Sequence, residues 1–186
     1  IEEIKKLFDL GAAGVCLDVA HGHSKSMLNA IENLKKNYSN KDIIAGNVCT
    51  PMAYQDLVNA GADAVKVGVG PGSACTTRLI TGFGLPQFSA IFECGKIAEK
   101  LRVPLIADGG IRTSKDVVLA LAAGASSVMI GKLFALTNES AAKKRKLEHG
   151  TEAKYRGQAS EDFQCDFYGG LKEKTVAEGV DFLGPS

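Results

Sequence analysis

The segment Gly68-Val69-Gly70-Pro71-Gly72-Ser73-Ala74-Cys75-Thr76-Thr77-Arg78 holds the densest set of groups able to do chemistry in this chain. Three alternate glycines give a backbone that can fold around an anion, presenting N–H groups, or around a cation, presenting carbonyls. The spacing is not that of the dinucleotide-binding fingerprint, because the third glycine falls too early and a cysteine follows. A cysteine is by default a small buried hydrophobe, the role expected of Cys16 in mid-strand and Cys94 in mid-helix. Cys75 sits instead in a loop among hydroxyls and amides that can stabilise a thiolate, so a nucleophilic role stands beside the buried one. Asp108-Gly109-Gly110 is a second candidate. Its carboxylate can accept two sugar hydroxyls while the glycine amides take a phosphate, or the trio is only the turn that opens a helix. Asp18, His21 and His23 are three potential metal ligands without the helical i, i+4 spacing of a zinc site. The run Lys143 to Lys146 reads as a solvated loop.

Each chemical group follows a short apolar run, and the runs alternate with stretches of helical periodicity. Ile4, Leu7 and Leu10 precede Val15-Cys16-Leu17; Met27 to Leu34 precede Ile43-Ile44-Ala45; Tyr54 to Ala60 precede Ala64-Val65-Lys66-Val67. Phe88 to Leu101 then lead to Pro104-Leu105-Ile106-Ala107, and Ser114 to Ala122 to Ser127-Val128-Met129-Ile130. Five strands reached through helices predict a parallel sheet with helices outside it, and the Ala-Gly-Ala phrases at 60–62 and 123–125 predict helix C-caps. A doubly wound sheet gathers its ligands at one switch point, whereas here Asp18, Asn47, Gly68 to Thr77, Asp108 and Gly131-Lys132 mark five strand ends. That distribution is the one a (β/α)8 barrel uses. Residues 138–186 carry little periodicity and are expected to be an active-site loop and tail over the barrel mouth, within a single domain of residues 1–186. The formal net charge of +1 gives no case for a nucleic acid polymer, and no apolar run approaches the ~20 residues that span a membrane. Five cysteines without a CxxC pair, and a start unlike a signal peptide, fit a reducing, cytoplasmic setting.

Taken together, Leu17-Asp18-Val19-Ala20-His21-Gly22-His23-Ser24, Ala45-Gly46-Asn47-Val48, Val67 through Arg78, Gly84-Leu85-Pro86-Gln87, Ile106-Ala107-Asp108-Gly109-Gly110-Ile111-Arg112 and Tyr155-Arg156-Gly157 resemble the IMP dehydrogenase/GMP reductase family. The resemblance runs in order over nearly the whole chain. It implies a (β/α)8 TIM barrel of which strands 4 to 8 are represented, so the sequence is expected to be part of a longer molecule. It also implies a homotetramer and GMP or IMP as the ligand. By the same resemblance Cys75 attacks C2 of the purine to form a thioimidate, and Thr77 assists with the proton. Ser73, Gly110, Gly131 and Tyr155 take the phosphate, Asp108 the ribose diol with Gly109 beside it, and Gly157, Gln158 and Ala159 lie near the base. Asp18, Asn47 and Gly68 face a nicotinamide cofactor, and the carbonyls of Gly70, Gly72 and Cys75 hold K+. Lys132 departs from the family's usual small residue on the phosphate side, where it pairs with the phosphate or points outward.

The direction of the reaction turns on the tail. Dehydrogenases of the family activate water with an Arg-Tyr pair on a flap between the Tyr155 motif and a later motif resembling Ala177-Glu178-Gly179. No Arg-Tyr pair lies between them here, and Arg156 is the last arginine. The resemblance therefore implies a GMP reductase, converting GMP and NADPH to IMP, ammonia and NADP+, with Thr77 and Glu178 protonating the ammonia. An IMP dehydrogenase, oxidising IMP to XMP with NAD+, is the alternative if a flap is missing near Gln164 or Cys165. A purine-nucleotide-binding barrel protein without chemistry is a reading of another class, and a flavin-dependent phosphate-binding barrel gives no reason for the cysteine loop.

Overall fold

The computed structural model describes residues 2–148, 150–170, 177 and 179–185. Its first part is the predicted alternation: α1 (Glu2–Asp9), β1 (Gly14–Asp18), α2 (Lys25–Asn37), β2 (Asp42–Val48), α3 (Pro51–Asn59), β3 (Ala64–Val67), α4 (Thr77–Thr81), α5 (Gln87–Leu101), β4 (Leu105–Asp108), α6 (Ser114–Ala122), β5 (Ser127–Met129) and α7 (Lys132–Ala135). Local signals start the helices. Ser24 accepts from the Met27 N–H, Thr50 from the Ala53 N–H with Pro51 in the first turn, and Thr113 with Asp116 forms a capping box, so backbone donors that have no partner within the helix are satisfied. Gly61 and Gly124 of the two Ala-Gly-Ala phrases take the left-handed turn expected of them, at φ +112° and +107°.

The five strands form one parallel sheet in the order β1-β2-β3-β4-β5. Register follows the hydrophobic pattern. Ile43 and Ala45 of β2, Val65 and Val67 of β3, and Leu105 and Ala107 of β4 are fully buried against Ile31 and Leu34 of α2, Tyr54 and Leu57 of α3, and Ile91 and Cys94 of α5. Each such aliphatic side chain taken from water contributes about 1.5–3 kcal/mol, and strand alternation turns the next residues to the opposite face. That face carries Cys16, Asp18, Gly46, Lys66, Ile106 and Asp108, with Cys16 paired to Ile44 and Gly46 to Lys66. Cys16 is therefore not the buried hydrophobe expected of it. It is exposed in this five-strand segment, because strand alternation turns it to the face away from the helices. Cys94 is buried as expected.

The second correction concerns the tail. Residues 138–186 were expected to be loop, yet β6 (Lys144–Leu147), β7 (Gly150–Arg156) and β8 (Asp181–Pro185) form a three-stranded antiparallel sheet, and α8 (Glu161–Tyr168) stands between the last two. The lysine run is a strand, with Lys144, Arg145 and Lys146 exposed as expected. Arg145 pairs with Glu152 and Tyr155 with Phe182, so charged and polar positions satisfy the backbone in strands whose sequences lack the apolar alternation that marks a strand.

Candidate active site

A cavity of about 600 Å³ lies at the C-terminal ends of the parallel strands, within the usual size of a small-molecule site. Asp18 reaches it from β1, Asn47 from β2, Gly68, Gly70, Gly72, Ser73, Cys75 and Thr77 from the segment after β3, and Asp108 with Gly109 from β4. Tyr155, Gly157, Gln158 and Ala159 close it from the tail. Three predicted residues are not on its wall. Gly110 packs on Pro71 and Gln87, Gly131 backs the Tyr155 ring so closely that a Cβ would overlap the hydroxyl, and Lys132 opens α7 behind it. Glu178 lies outside the described residues. A second cavity, of about 560 Å³, sits between α5 and α6 beside Pro104 and Ser126, at the opposite strand ends, and holds none of the predicted residues.

The cysteine loop is fixed by backbone and by Arg78. The Cys75 N–H donates to the Gly72 carbonyl at 3.1 Å, closing a turn. Arg78 donates from Nε to the Val69 carbonyl at 3.2 Å and from its terminal nitrogen to the Leu85 carbonyl, while its methylenes lie against Gly70 and Gly84. Within the loop the Cys75 thiol donates to Thr77 Oγ1 at 3.1 Å, and Thr77 is only 6% exposed. The hydroxyl is thus placed to take or return the sulfur's proton. Gly68, at φ +151°, passes so near the Asp108 carbonyl that a Cβ would overlap its oxygen; only glycine permits that approach. From the far end of the chain, Gly179 bridges Cys75 in antiparallel fashion and Ser160 in parallel, and the Val180 N–H donates to the Ala74 carbonyl at 2.9 Å.

The floor of the site is charged. Lys66, 2% exposed, donates from Nζ to Asp18 Oδ2 at 2.6 Å and pairs with Asp108 Oδ2 at 2.9 Å. Burial pulls its pKa down, but the hydrogen bonds and negative charges of the two aspartates outweigh that and leave it above the ordinary lysine value. Asn47 Nδ2 donates to the same Asp108 oxygen at 2.9 Å and to the Gly68 carbonyl at 2.8 Å. Burial, and secondarily the Asp108 charge, raises the Tyr155 hydroxyl's pKa, so it remains a donor at neutral pH. Asn47 Oδ1 is buried on this wall without a hydrogen-bond partner, an acceptor suited to an N–H of a bound ligand. His23 pairs with Asp56 at 2.8 Å rather than with Asp18, and no cluster of three His, Cys, Asp or Glu able to hold a metal occurs among the described residues. Sequence reading passed over Lys66, Gln164, Tyr168 and Gly179, all at the site or beneath it. For Lys66 a signal existed: one lysine inside an apolar strand that ends at the glycine loop.

A model of the IMP dehydrogenase/GMP reductase domain matches residues 1–185. Inosine-5'-monophosphate dehydrogenase of Chlorobaculum tepidum is 49% identical over 86% of this chain and 32% of its own length. That of Aquifex aeolicus is 46% identical over 97% of this chain and 38% of its own. Among solved structures, a variant GMP reductase from Trypanosoma brucei in complex with guanosine 5'-monophosphate superposes with a TM-score of 0.88 at 38% identity, over 97% of this chain and 38% of that one. The chain thus spans about a third of the length of these relatives, and its five parallel strands are a segment of a (β/α)8 barrel. By sequence and fold, the chain belongs to the IMP dehydrogenase/GMP reductase family of purine-nucleotide oxidoreductases.

Proposed function

We propose that this chain is the nucleotide-binding part of a GMP reductase. The observation that carries the chemistry is the Cys75–Thr77 contact at the wall of a cavity that Asp108 also lines. In this reading Asp108 accepts the ribose diol through Oδ1, the oxygen its neighbours leave open, while Ser73, Tyr155 and the backbone of Gly110 and Gly131 take the phosphate. Gly157, Gln158 and Ala159 hold the base so that its C2 lies over the sulfur. A C2–S bond forms as the amino group leaves as ammonia, protonated through Thr77 with Glu178, and hydride addition at C2 then breaks that bond to release IMP and restore the thiolate. The hydride comes from NADPH when bound. Asp18, the unpartnered Asn47 Oδ1 and the Gly68 backbone line the wall and fit its carboxamide end. K+ is assigned to the carbonyls of Gly70, Gly72 and Cys75, the Gly72 oxygen keeping one lone pair beyond the Cys75 N–H. The whole protein is expected to be a homotetramer, which light scattering on the eluting protein tests.

The reductase direction rests on the segment after Tyr155. It is built as α8, capped by Ser160, and Arg156 is committed to Asp162 and Asp166 and does not line the cavity, so no arginine of this segment is offered to water. The second reading, an IMP dehydrogenase using NAD+, is favoured by the names of the curated relatives at 46–49% identity. Assay of the whole protein in both directions separates them. GMP-dependent oxidation of NADPH with release of ammonia is expected; IMP-dependent reduction of NAD+ without it would overturn the reductase.

A further inference from the structure

Lys66 touches neither reacting group, yet it is the most buried charge of the described residues, 2% exposed. Its strand position explains how it fits. Gly46 stands opposite in the register, and a Cβ there would lie 2.8 Å from the Lys66 carbonyl oxygen and closer still to its own Cβ, so the bare glycine leaves the space that the lysine stem occupies. Nζ then meets Asp18 from β1 and Asp108 from β4. Asp108 Oδ2 is left with two donors, Lys66 Nζ and Asn47 Nδ2, both at 2.9 Å, and Oδ1 has none among the described residues. Two donors on one oxygen fix the rotation of the carboxylate and turn the other toward the cavity that Asp108 lines. Among the described residues, the other ionisable groups that feel these carboxylates are Cys16 on β1 and Tyr155 on β7, neither of them a cation, and Lys66 is the cation paired with both.

We infer that Lys66 is a positioning residue: it holds the Asp108 carboxylate rotated so that Oδ1 receives the sugar diol of the nucleotide. The inference rests on the ribose role proposed for Asp108. Without Lys66, Asp18 and Asp108 would be left beside each other without a cation, and an uncompensated buried charge is costly.

The test measures the dissociation constants of GMP and 2′-deoxyguanosine monophosphate by calorimetry, on the whole protein and on Lys66→Met. The parent protein is expected to prefer GMP by about tenfold or more, the worth of a hydrogen bond to a charged acceptor. Lys66→Met is expected to reduce that preference to about threefold or less by weakening GMP alone. A role confined to packing would weaken both nucleotides alike. A Lys66→Met protein that melts like the parent and keeps its preference overturns the inference. Lys66→Gln, which keeps a polar head between the carboxylates, serves if the methionine protein does not fold, with the same expectation. Failure of both to fold would make Lys66 a stability element and also overturn the inference. A parent protein indifferent to the 2′-hydroxyl would overturn the ribose role of Asp108 itself, a result distinct from the others.

Discussion

Replacing Gly68 by alanine tests whether the close approach of β3's end to Asp108 governs both stability and catalysis. The added Cβ would overlap the Asp108 carbonyl oxygen and lie 3.1 Å from its carbonyl carbon and 3.0 Å from the Gln87 amide nitrogen. Two of these three atoms are backbone, and the same carbonyl accepts from Gln87 Nε2 at 3.1 Å, so neither side can yield freely. Restoring ordinary contact near 3.5 Å with that oxygen requires a shift of roughly 1.5 Å in all, shared between the two segments. Overpacking of this kind costs about 1–3 kcal/mol, and a φ of +151° adds about 1–3 kcal/mol for a residue with a side chain. The sum of about 2–6 kcal/mol corresponds to a fall in melting temperature of roughly 4–24 °C for a chain of this size. Moving Asp108 by about 1 Å also misplaces the ribose, a displacement worth on the order of 10²-fold in kcat/KM. Gly82→Ala is the control. Its φ is +72° with nothing within 4 Å of an added Cβ, so it carries the backbone strain without the collision and is expected to lose only a few degrees while turnover is kept. Thermal melts paired with GMP-dependent NADPH oxidation measure both variants. A Gly68→Ala protein that melts and turns over like the parent would refute the contact and the account of Asp108 built on it.

Cys75→Ala is expected to lower turnover by about 10³-fold or more while GMP binds within about threefold of the parent; retained turnover would remove the covalent step. Tyr155→Phe, which deletes the hydroxyl lying against Gly131, should weaken GMP about 5- to 30-fold with little change in melting, and an unchanged dissociation constant would take Tyr155 out of the phosphate site. Burial pushes the Cys94 thiol up to about 12, with Cys49 and Glu93 adding to the rise. A pKa raised on folding means that the native state keeps a proton the unfolded chain releases. The stabilisation is therefore complete below about pH 9 and lost as pH climbs toward 12, by up to about 1.4 kcal/mol per pH unit. Urea unfolding between about pH 8 and 10 should show that slope, flattened in Cys94→Ala; an identical slope in both proteins would assign the loss to other groups.

The parallel sheet was legible because each strand is a short apolar run entered from a helix, and the two Ala-Gly-Ala phrases mark helix ends by chemistry alone. Most of the candidate site was legible too, since strand ends were marked by Asp18, Asn47, Asp108 and the cysteine loop. Cys16 faces away from the helices, the side that is the interior in a whole (β/α)8 barrel, and a short apolar run does not say which of the two faces a residue takes. Lys66 was hidden by the reverse effect. An isolated lysine among valines is read as solvent-facing, and only its register with Asp18 and Asp108 on neighbouring strands shows it to be buried and paired. The tail sheet eluded pattern reading because its first strand is nearly all lysine and arginine and its third pairs across α8.

Main-chain groups of the described residues tie the tail to the cysteine loop: Gly179 bridges Cys75 and Ser160, the Val180 N–H donates to the Ala74 carbonyl, and the Gly157 N–H donates to the Val180 carbonyl. Fastenings of this kind ask for small residues at both ends, since a Cβ at Gly157 would lie 3.2 Å from Ala74 and one at Gly179 3.0 Å from the Ser160 amide nitrogen. The tail is thereby stitched to the Cys75 loop through Gly179 and to itself at Ser160, and Gln164 and Tyr168 of α8 come to the cavity wall between those stitches. Loosening either stitch is expected to loosen the loop that carries Cys75 as well, because loop and tail share the same hydrogen bonds.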